Sequence, residues 1–352
     1  MDLKENEPLA PYTTLGLGGP ARYFVECRSE ADIRAALTLA ADRRLVVFVL
    51  GGGSNVVFPD AGFPGLVVRI AVSGLTFTDD ATPEVSAGAG TDWDALVAGA
   101  VARGWTGVEC LAGIPGTVGG TPIQNVGAYG QEIADTLVRV NCLDRATLEP
   151  RSFTAEECGF GYRDSRFKGE DRDRFVVLHV TLRLRRDTPP VLRYQELRDA
   201  VARVAQLDSL APADAARLVR DTVLGLRRAK SMVLDPADPN TRSVGSFFTN
   251  PVLSRNAFAE LERRWRDDGG TGRIPTFAAG SDLKVPAAWL VEHAGFPKGY
   301  RHGPVGVSSR HALALVNLGG TSTELLTLAE TIRSGVRARF GITLAYEPEV
   351  VR

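Results

Sequence analysis

Apolar residues at Ile33, Ala36, Leu37 and Ala40 recur at the spacing of one helical face, in a pattern that opens at Ser29. Ser29 and Asp32 fit a capping box, and Arg43 and Arg44 bring positive charge to the predicted C-terminus, where the helix dipole favours it. The periodicity then changes. LVVFVL at 45–50 is a continuous apolar run that predicts a buried strand leading into GGGSN, and LVVRI at 66–70 predicts another. In such an α/β start, a glycine-rich loop at the carboxyl end of a strand is a usual seat for a phosphate-bearing ligand.

EVSAGAG at 84–90 predicts a further strand, and TDWDALVAGAVARG a helix capped by Thr91 with Asp94 at N3. The densest glycine tract, GIPGTVGGTPIQNVGAYG, occupies 113–130; TLVRVNCLD (136–144) and RFVVLHVTLRLRR (174–186) predict strands after it. DTPP at 187–190 is a turn, YQELRDAVARVAQL returns to helical spacing, and an alanine-rich helix within 208–240 marks a soft boundary. The final third carries SVGSFFTNP at 243–251, a helix around NAFAELERRWRDDGG, KVPAAWLVEHAG at 284–295, and a strand and turn in HALALVNLGG. TSTELLTLAETIRSGVRARFG (321–341) predicts a helix capped by Thr321, boxed by Glu324 and stopped by Gly341, and ITLAYEPEVVR predicts a closing strand.

Composition narrows the class. The 352 residues exceed one ordinary core, and 44% apolar with 24% charged residues is the profile of a folded soluble protein. A net charge of -1, from 41 basic and 42 acidic side chains, argues against a nucleic-acid partner while leaving room for a local basic pocket. Cys27, Cys110, Cys142 and Cys158 lie far apart without a CxxC pair, which fits buried thiols in a reduced, cytoplasmic setting. The four histidines have no ligand spacing, so no metal is expected. MDLKENEPLAPYTT has no apolar core of a signal peptide, and no run approaches the roughly 20 apolar residues of a membrane span. No helix shows a long apolar seam, so a monomer is expected.

The glycine loops are not familiar nucleotide motifs. GGGSN at 51–55 lacks the Gly-Lys-Ser/Thr of a P-loop, and the GxGxxA match at Gly16–Ala21 follows no apolar strand and is interrupted by Pro20. By composition the two loops read equally well as a cradle for a ligand with two phosphates or as tight irregular crossovers. GSFFTNP raises a similar choice: a turn plugged by two phenylalanines, or a hydroxyl at Ser246 kept from bulk water as a proton donor. An acyl nucleophile is disfavoured, because no GxSxG elbow is present and no histidine stands out as its base.

Seven motifs then occur in order: YTTLGLGGPARYF (12–24), VLGGGSNVVF (49–58), SAGAG (86–90), GIPGTVGGTPIQNVGAYG (113–130), FGYRDSRFK (160–168), GSFFTNP (245–251) and EPEV (347–350). Over nearly its whole length the chain resembles the UDP-N-acetylenolpyruvoylglucosamine reductases, flavoenzymes that make UDP-N-acetylmuramate for peptidoglycan. It resembles the form with the longer tyrosine loop and the GSFF serine motif. The resemblance implies an α+β protein: a two-lobed FAD-binding domain of the vanillyl-alcohol-oxidase type plus a separate C-terminal α/β substrate domain. Lobe 1 would span 1–72, joined by a C-terminal strand at 343–352; lobe 2 would span 73–225 and the substrate domain 226–342.

The resemblance also implies roles. FAD would be held by Gly51, Gly52, Gly53, Ser54 and Asn55 of the first loop, with Gly113, Ile114, Pro115, Gly116, Thr117, Gly119, Gly120, Asn125, Gly127 and Ala128 of the second. Catalysis would fall to Arg163, Ser246 and Glu349, and substrate binding to Tyr162, Tyr194, Lys230, Asn250 and Lys284. NADPH would be the reducing cosubstrate and a UDP-linked enolpyruvyl amino sugar the acceptor. Hydride would pass from NADPH through FAD to substrate C3, and a proton from Ser246 to C2. Two alternatives share parts of this pattern: an FAD-dependent oxidoreductase of the same fold with another substrate, and a nonenzymatic nucleotide-sugar binder. Two departures stand out. Thr249 replaces a frequent lysine or arginine, and only Val351 and Arg352 follow EPEV, so the anchoring of Glu349 is left to the tertiary structure.

Overall fold

In the computed structural model, which describes all residues of the chain except 79 and 81, the first predicted helix forms as Glu30–Asp42 (α1). Ser29 Oγ accepts from Asp32 N and Asp32 accepts from Ser29 N, both at 3.1 Å, so two otherwise unpaired donors are satisfied reciprocally. Ile33, Ala36, Leu37 and Ala40 are the buried face of α1. It precedes a four-stranded sheet edge, Val47–Leu50, in the order Leu3–Pro8, Pro20–Cys27, Phe63–Ile70, Val47–Leu50. Phe63–Ile70 runs parallel to both its neighbours, and its buried run Leu66, Val67 and Val68 is what a strand covered on both faces requires.

A second sheet is antiparallel, in the order Pro150–Thr154, Leu137–Asp144, Phe175–Arg183, Glu84–Gly88, Leu75–Thr78. Helices Trp93–Ala102 (α2), Gln195–Ala202 (α3) and Pro212–Ala229 (α4) accompany it. Both sheets share one apolar core, and Arg145 Nη2 bridges them by donating to Val47 O at 2.9 Å. Together they form one unit of Met1–Glu7, Ala21–Gly53 and Phe63–Val233. One expectation is corrected here. Helix α2 is capped by Asp92, not Thr91: Asp92 accepts from Ala95 N at 2.8 Å, whereas Thr91 Oγ1 donates to Gly74 O. Asp94, expected to close the box, instead accepts from Gly113 N at 2.7 Å. A long-range partner has displaced the local one.

The second unit comprises Pro8–Pro20, Ser54–Gly62 and Leu234–Arg352. It holds helices Arg255–Asp267 (α5), Ala287–His293 (α6) and Ser322–Phe340 (α7), with two three-stranded sheets. Neighbouring strands in both sheets are antiparallel, so the unit is α+β, not the α/β arrangement expected; α5 connects Val252–Leu253 to Phe277–Ala279, and the other successive strands of each sheet turn back without an intervening helix. Thr321 caps α7, Glu324 completes the box and Gly341 ends it at a φ of 74°, as predicted. The closing strand is shorter than ITLAYEPEVVR implied, since Pro348 has no N–H for a ladder. Glu349–Val350 instead pairs in parallel with Val56–Val57. All four cysteines are buried and outside any disulfide, and no helix among the described residues is long and apolar enough to cross a membrane.

Candidate functional site

The two glycine loops meet within the first unit. A Cβ on Gly52 would stand 2.7 Å from Gly116 Cα, and one on Gly51 would stand 3.0 Å from Thr117 Oγ1. Only hydrogen fits at Gly52, because the opposing group is backbone and cannot swing aside. Gly53 (φ 65°), Gly113 (φ 68°) and Gly116 (φ 120°) occupy conformations that side chains disfavour. Among the described residues, the N–H groups of Gly51, Gly52, Gly53, Gly116 and Thr117 donate to no protein acceptor. The buried Thr117 hydroxyl is likewise unpaired. Convergent donors of this kind suit the oxygens of a diphosphate, as in a dinucleotide cofactor. By contrast, Gly119 and Gly120 spend their N–H groups on Ala89 O and Thr117 O, which shapes the loop from within. Beneath it, buried Arg227 donates to Gly113 O at 3.3 Å and Met232 O at 2.9 Å.

Downstream, the tract braces a catalytic candidate. Asn125, buried and at φ 47°, donates to Glu132 Oε2 and Gly161 O and accepts from Ala134 N, so its side chain is spent within the protein. Gly127 and Ala128 pair with Glu132 and Gln131. Gly161 and Asp164 bridge across a tight turn whose tip is Tyr162-Arg163. Arg163 stands at φ 54°, a conformation costly for a residue with a Cβ, and Arg163 Nη2 donates to Gly127 O at 2.7 Å. Such strain persists only where neighbours over-determine it, and here Asn125, Gly127 and Lys168 do so.

Around Lys230 a second cluster gathers. Its ammonium lies 2.8 and 2.7 Å from the two carboxylate oxygens of Glu196 and 5.9 Å from the Tyr129 ring centre. Tyr129 and Tyr194 meet edge to face at 5.6 Å. Burial pushes the Tyr129 phenol up to about 12, against the opposing pull of Arg227, so it remains a neutral donor. Sequence reasoning missed Tyr129 and Glu196. Their signals were the AYG that closes the glycine tract and the acid two residues after Tyr194.

In the second unit Ser246 is half-buried, paired by an isolated bridge to Ala314. Phe247 N donates to Leu313 O and Phe247 O accepts from Glu347 N, while Thr249 N donates to Ala345 O. The backbone of the serine motif is therefore stitched on both edges. Phe247 and Phe248 are fully buried with Tyr346 against both rings. Gly245 (φ 75°) makes the turn that presents Ser246, as its lack of a Cβ permits. Asn250 Oδ1 caps the start of α6 by accepting from Ala287 N at 2.8 Å, and Lys284 sits opposite Val252 and Phe277 at the middle of its sheet. Glu349 N donates to Asn55 O at 2.9 Å and Val351 N to Val57 O at 3.0 Å. The last strand is thus pinned by Asn55 at the end of the first glycine loop and by the strand Val56–Val57 that follows it. Ser54 and Asn55 belong to this unit, Gly51, Gly52 and Gly53 to the other. Arg163 likewise lies in the first unit, Ser246 and Glu349 in the second.

Comparison with known proteins assigns these parts. Residues 21–147 match a model described as an FAD binding domain, and residues 236–351 one described as the C-terminal domain of UDP-N-acetylenolpyruvoylglucosamine reductase. The reductase of that name from Thermobifida fusca is 50% identical, over 98% of this chain and 97% of its own. That from Salinispora arenicola is 49% identical, over 97% and 94%. Among solved structures, the UDP-N-acetylenolpyruvylglucosamine reductase of Thermus caldophilus superposes with a TM-score of 0.65 at 25% identity, covering 100% of this chain and 98% of its own. Identity near one residue in two, sustained from end to end of both chains, makes this chain a member of the UDP-N-acetylenolpyruvoylglucosamine reductase family.

Proposed function

We propose that the chain reduces the enolpyruvyl double bond of UDP-N-acetylenolpyruvoylglucosamine to give UDP-N-acetylmuramate, with FAD as cofactor and NADPH as reductant. The observation that carries the reading is full-length family membership combined with a donor-lined cradle of Gly51, Gly52, Gly53, Gly116 and Thr117 in the FAD-binding portion. That portion is read as a two-lobed domain of the vanillyl-alcohol-oxidase type, with the second unit as the substrate domain. When bound, FAD supplies the two-electron chemistry that links NADPH to the enol ether.

The chain's own residues handle charge and protons. Addition at C3 sends negative charge toward C2 and the carboxylate, and the planar guanidinium of Arg163, held in a strained turn, suits that charge. Ser246 Oγ gives its proton to C2. A serine hydroxyl is a feeble acid, so this works only beside a strongly basic, electron-rich carbon. Glu349, fixed by its strand pairing, holds a proton or a water in position. Lys230, Lys284, Asn250, Tyr162 and Tyr194 are read as contacts to the UDP-sugar. The protein is read as a cytoplasmic monomer without a nucleic-acid partner. Purified protein should absorb at about 450 nm, bleach with NADPH and recover its colour with the enolpyruvyl substrate under anaerobic conditions. Recovery with oxygen alone would favour an oxidase of the same fold, and absence of flavin a sugar-nucleotide binder.

A further inference from the structure

We propose that Glu196 is a built-in counter-ion for Lys230 which a diphosphate must displace, so that it sets how strongly the site rewards ligand charge. This rests on the reading of Lys230 as a contact to the substrate's diphosphate. Both carboxylate oxygens of Glu196 face the ammonium, at 2.8 and 2.7 Å, the arrangement a pair of phosphate oxygens would take. The two side chains remain 34% and 39% exposed, so the pair is reachable from solvent and weak enough to exchange.

The surroundings support exchange at the side chains while the backbone stays put. Lys230 is the C-cap of α4 and is followed by Ser231, which is buried at φ 54°. Glu196 lies in the first turn of α3, two residues after its N-cap Tyr194, whose ring rests on Tyr129 beneath the ammonium. A ligand with two or more negative charges near Lys230 outcompetes one carboxylate. A ligand without phosphate leaves the ion pair closed and gains nothing from the lysine. Glu196 is therefore a positioning residue that lowers affinity for the charged ligand and keeps the lysine partnered before that ligand arrives.

The test titrates FAD-loaded protein with UDP and with uridine by calorimetry. Glu196→Gln keeps the shape and removes the charge; UDP should bind about two- to five-fold more tightly, with uridine unchanged. Glu196→Ala repeats the measurement should the amide disturb α3. Unchanged or weaker UDP binding in both variants overturns the proposal, as does equal tightening of uridine, because a merely structural role predicts those results. Lys230→Ala separates the layers: it should weaken UDP and spare uridine. If it leaves UDP unaffected, the assignment of Lys230 falls, and the counter-ion role with it. If it weakens UDP while the Glu196 variants change nothing, only the counter-ion role is wrong.

Discussion

The donor role proposed for Ser246 asks of one hydroxyl a task its intrinsic acidity does not suit. Its neighbours are locked: Phe247 exchanges hydrogen bonds with Leu313 and Glu347, and Gly245 N donates to Ser243 Oγ at 3.2 Å. Ser246→Ala removes the oxygen without disturbing that backbone. Flavin reduction by NADPH should proceed at its normal rate in stopped-flow traces, and the step with the enolpyruvyl substrate should slow by about a hundred- to ten-thousand-fold. Equal slowing of both half-reactions would end the donor assignment. The sequence made the residue visible through GSFFTNP but left open whether its phenylalanines plug a core or shelter a site. The structure shows that they are core residues, fully buried, with the serine between them and the glycine turn half-buried.

Loops that looked alike in composition become different elements once they meet. GGGSN and GIPGTVGG could each have been a simple crossover; their contact at Gly52 and Gly116 brings together a set of unpaired donors that neither loop holds alone. Gly52→Ala pushes a methyl against Gly116 backbone at 2.7 Å and must part the loops. The variant should be purified with little bound flavin, measured as absorbance relative to protein, while its circular dichroism stays native. Full flavin content would show that the two loops do not act as one cradle. Element ends follow the same rule. Ser29 and Thr321 cap their helices as local pattern predicts, but Asp94, in the first turn of α2, gives its carboxylate to Gly113 N, a partner no local window contains. Glu349 was legible as the second acid of EPEV; its strand partner, Val56, was not.

At the scale of the molecule, segments far apart in the chain close the second unit. Asp60 accepts from Ser322 N at 2.7 Å and Thr323 N at 2.9 Å, placing a carboxylate at the positive end of α7. Burial pushes its carboxyl up, but the bonds from Thr323 and Ser322 together outweigh this and hold it below its ordinary value of 3.8. A depressed folded value means that the stabilisation is fully present above the unfolded value and disappears as pH falls through the folded one. Asp60→Ala should cost about 1–2 kcal/mol in urea denaturation near neutrality, and the gap to the unaltered protein should close below about pH 4. A gap that persists at lower pH would deny the carboxylate its role. What the chain determined by itself was local or repeated in its motifs: caps, apolar faces, glycine tracts and the family likeness, since these depend on residues a few positions apart or on an ordered set of short motifs. What only tertiary structure decided was which distant groups touch: loop on loop, Asp60 on α7, Glu196 on Lys230 and the last strand on Val56–Val57. Such contacts are set by how the whole backbone closes, and no short stretch of sequence carries that geometry.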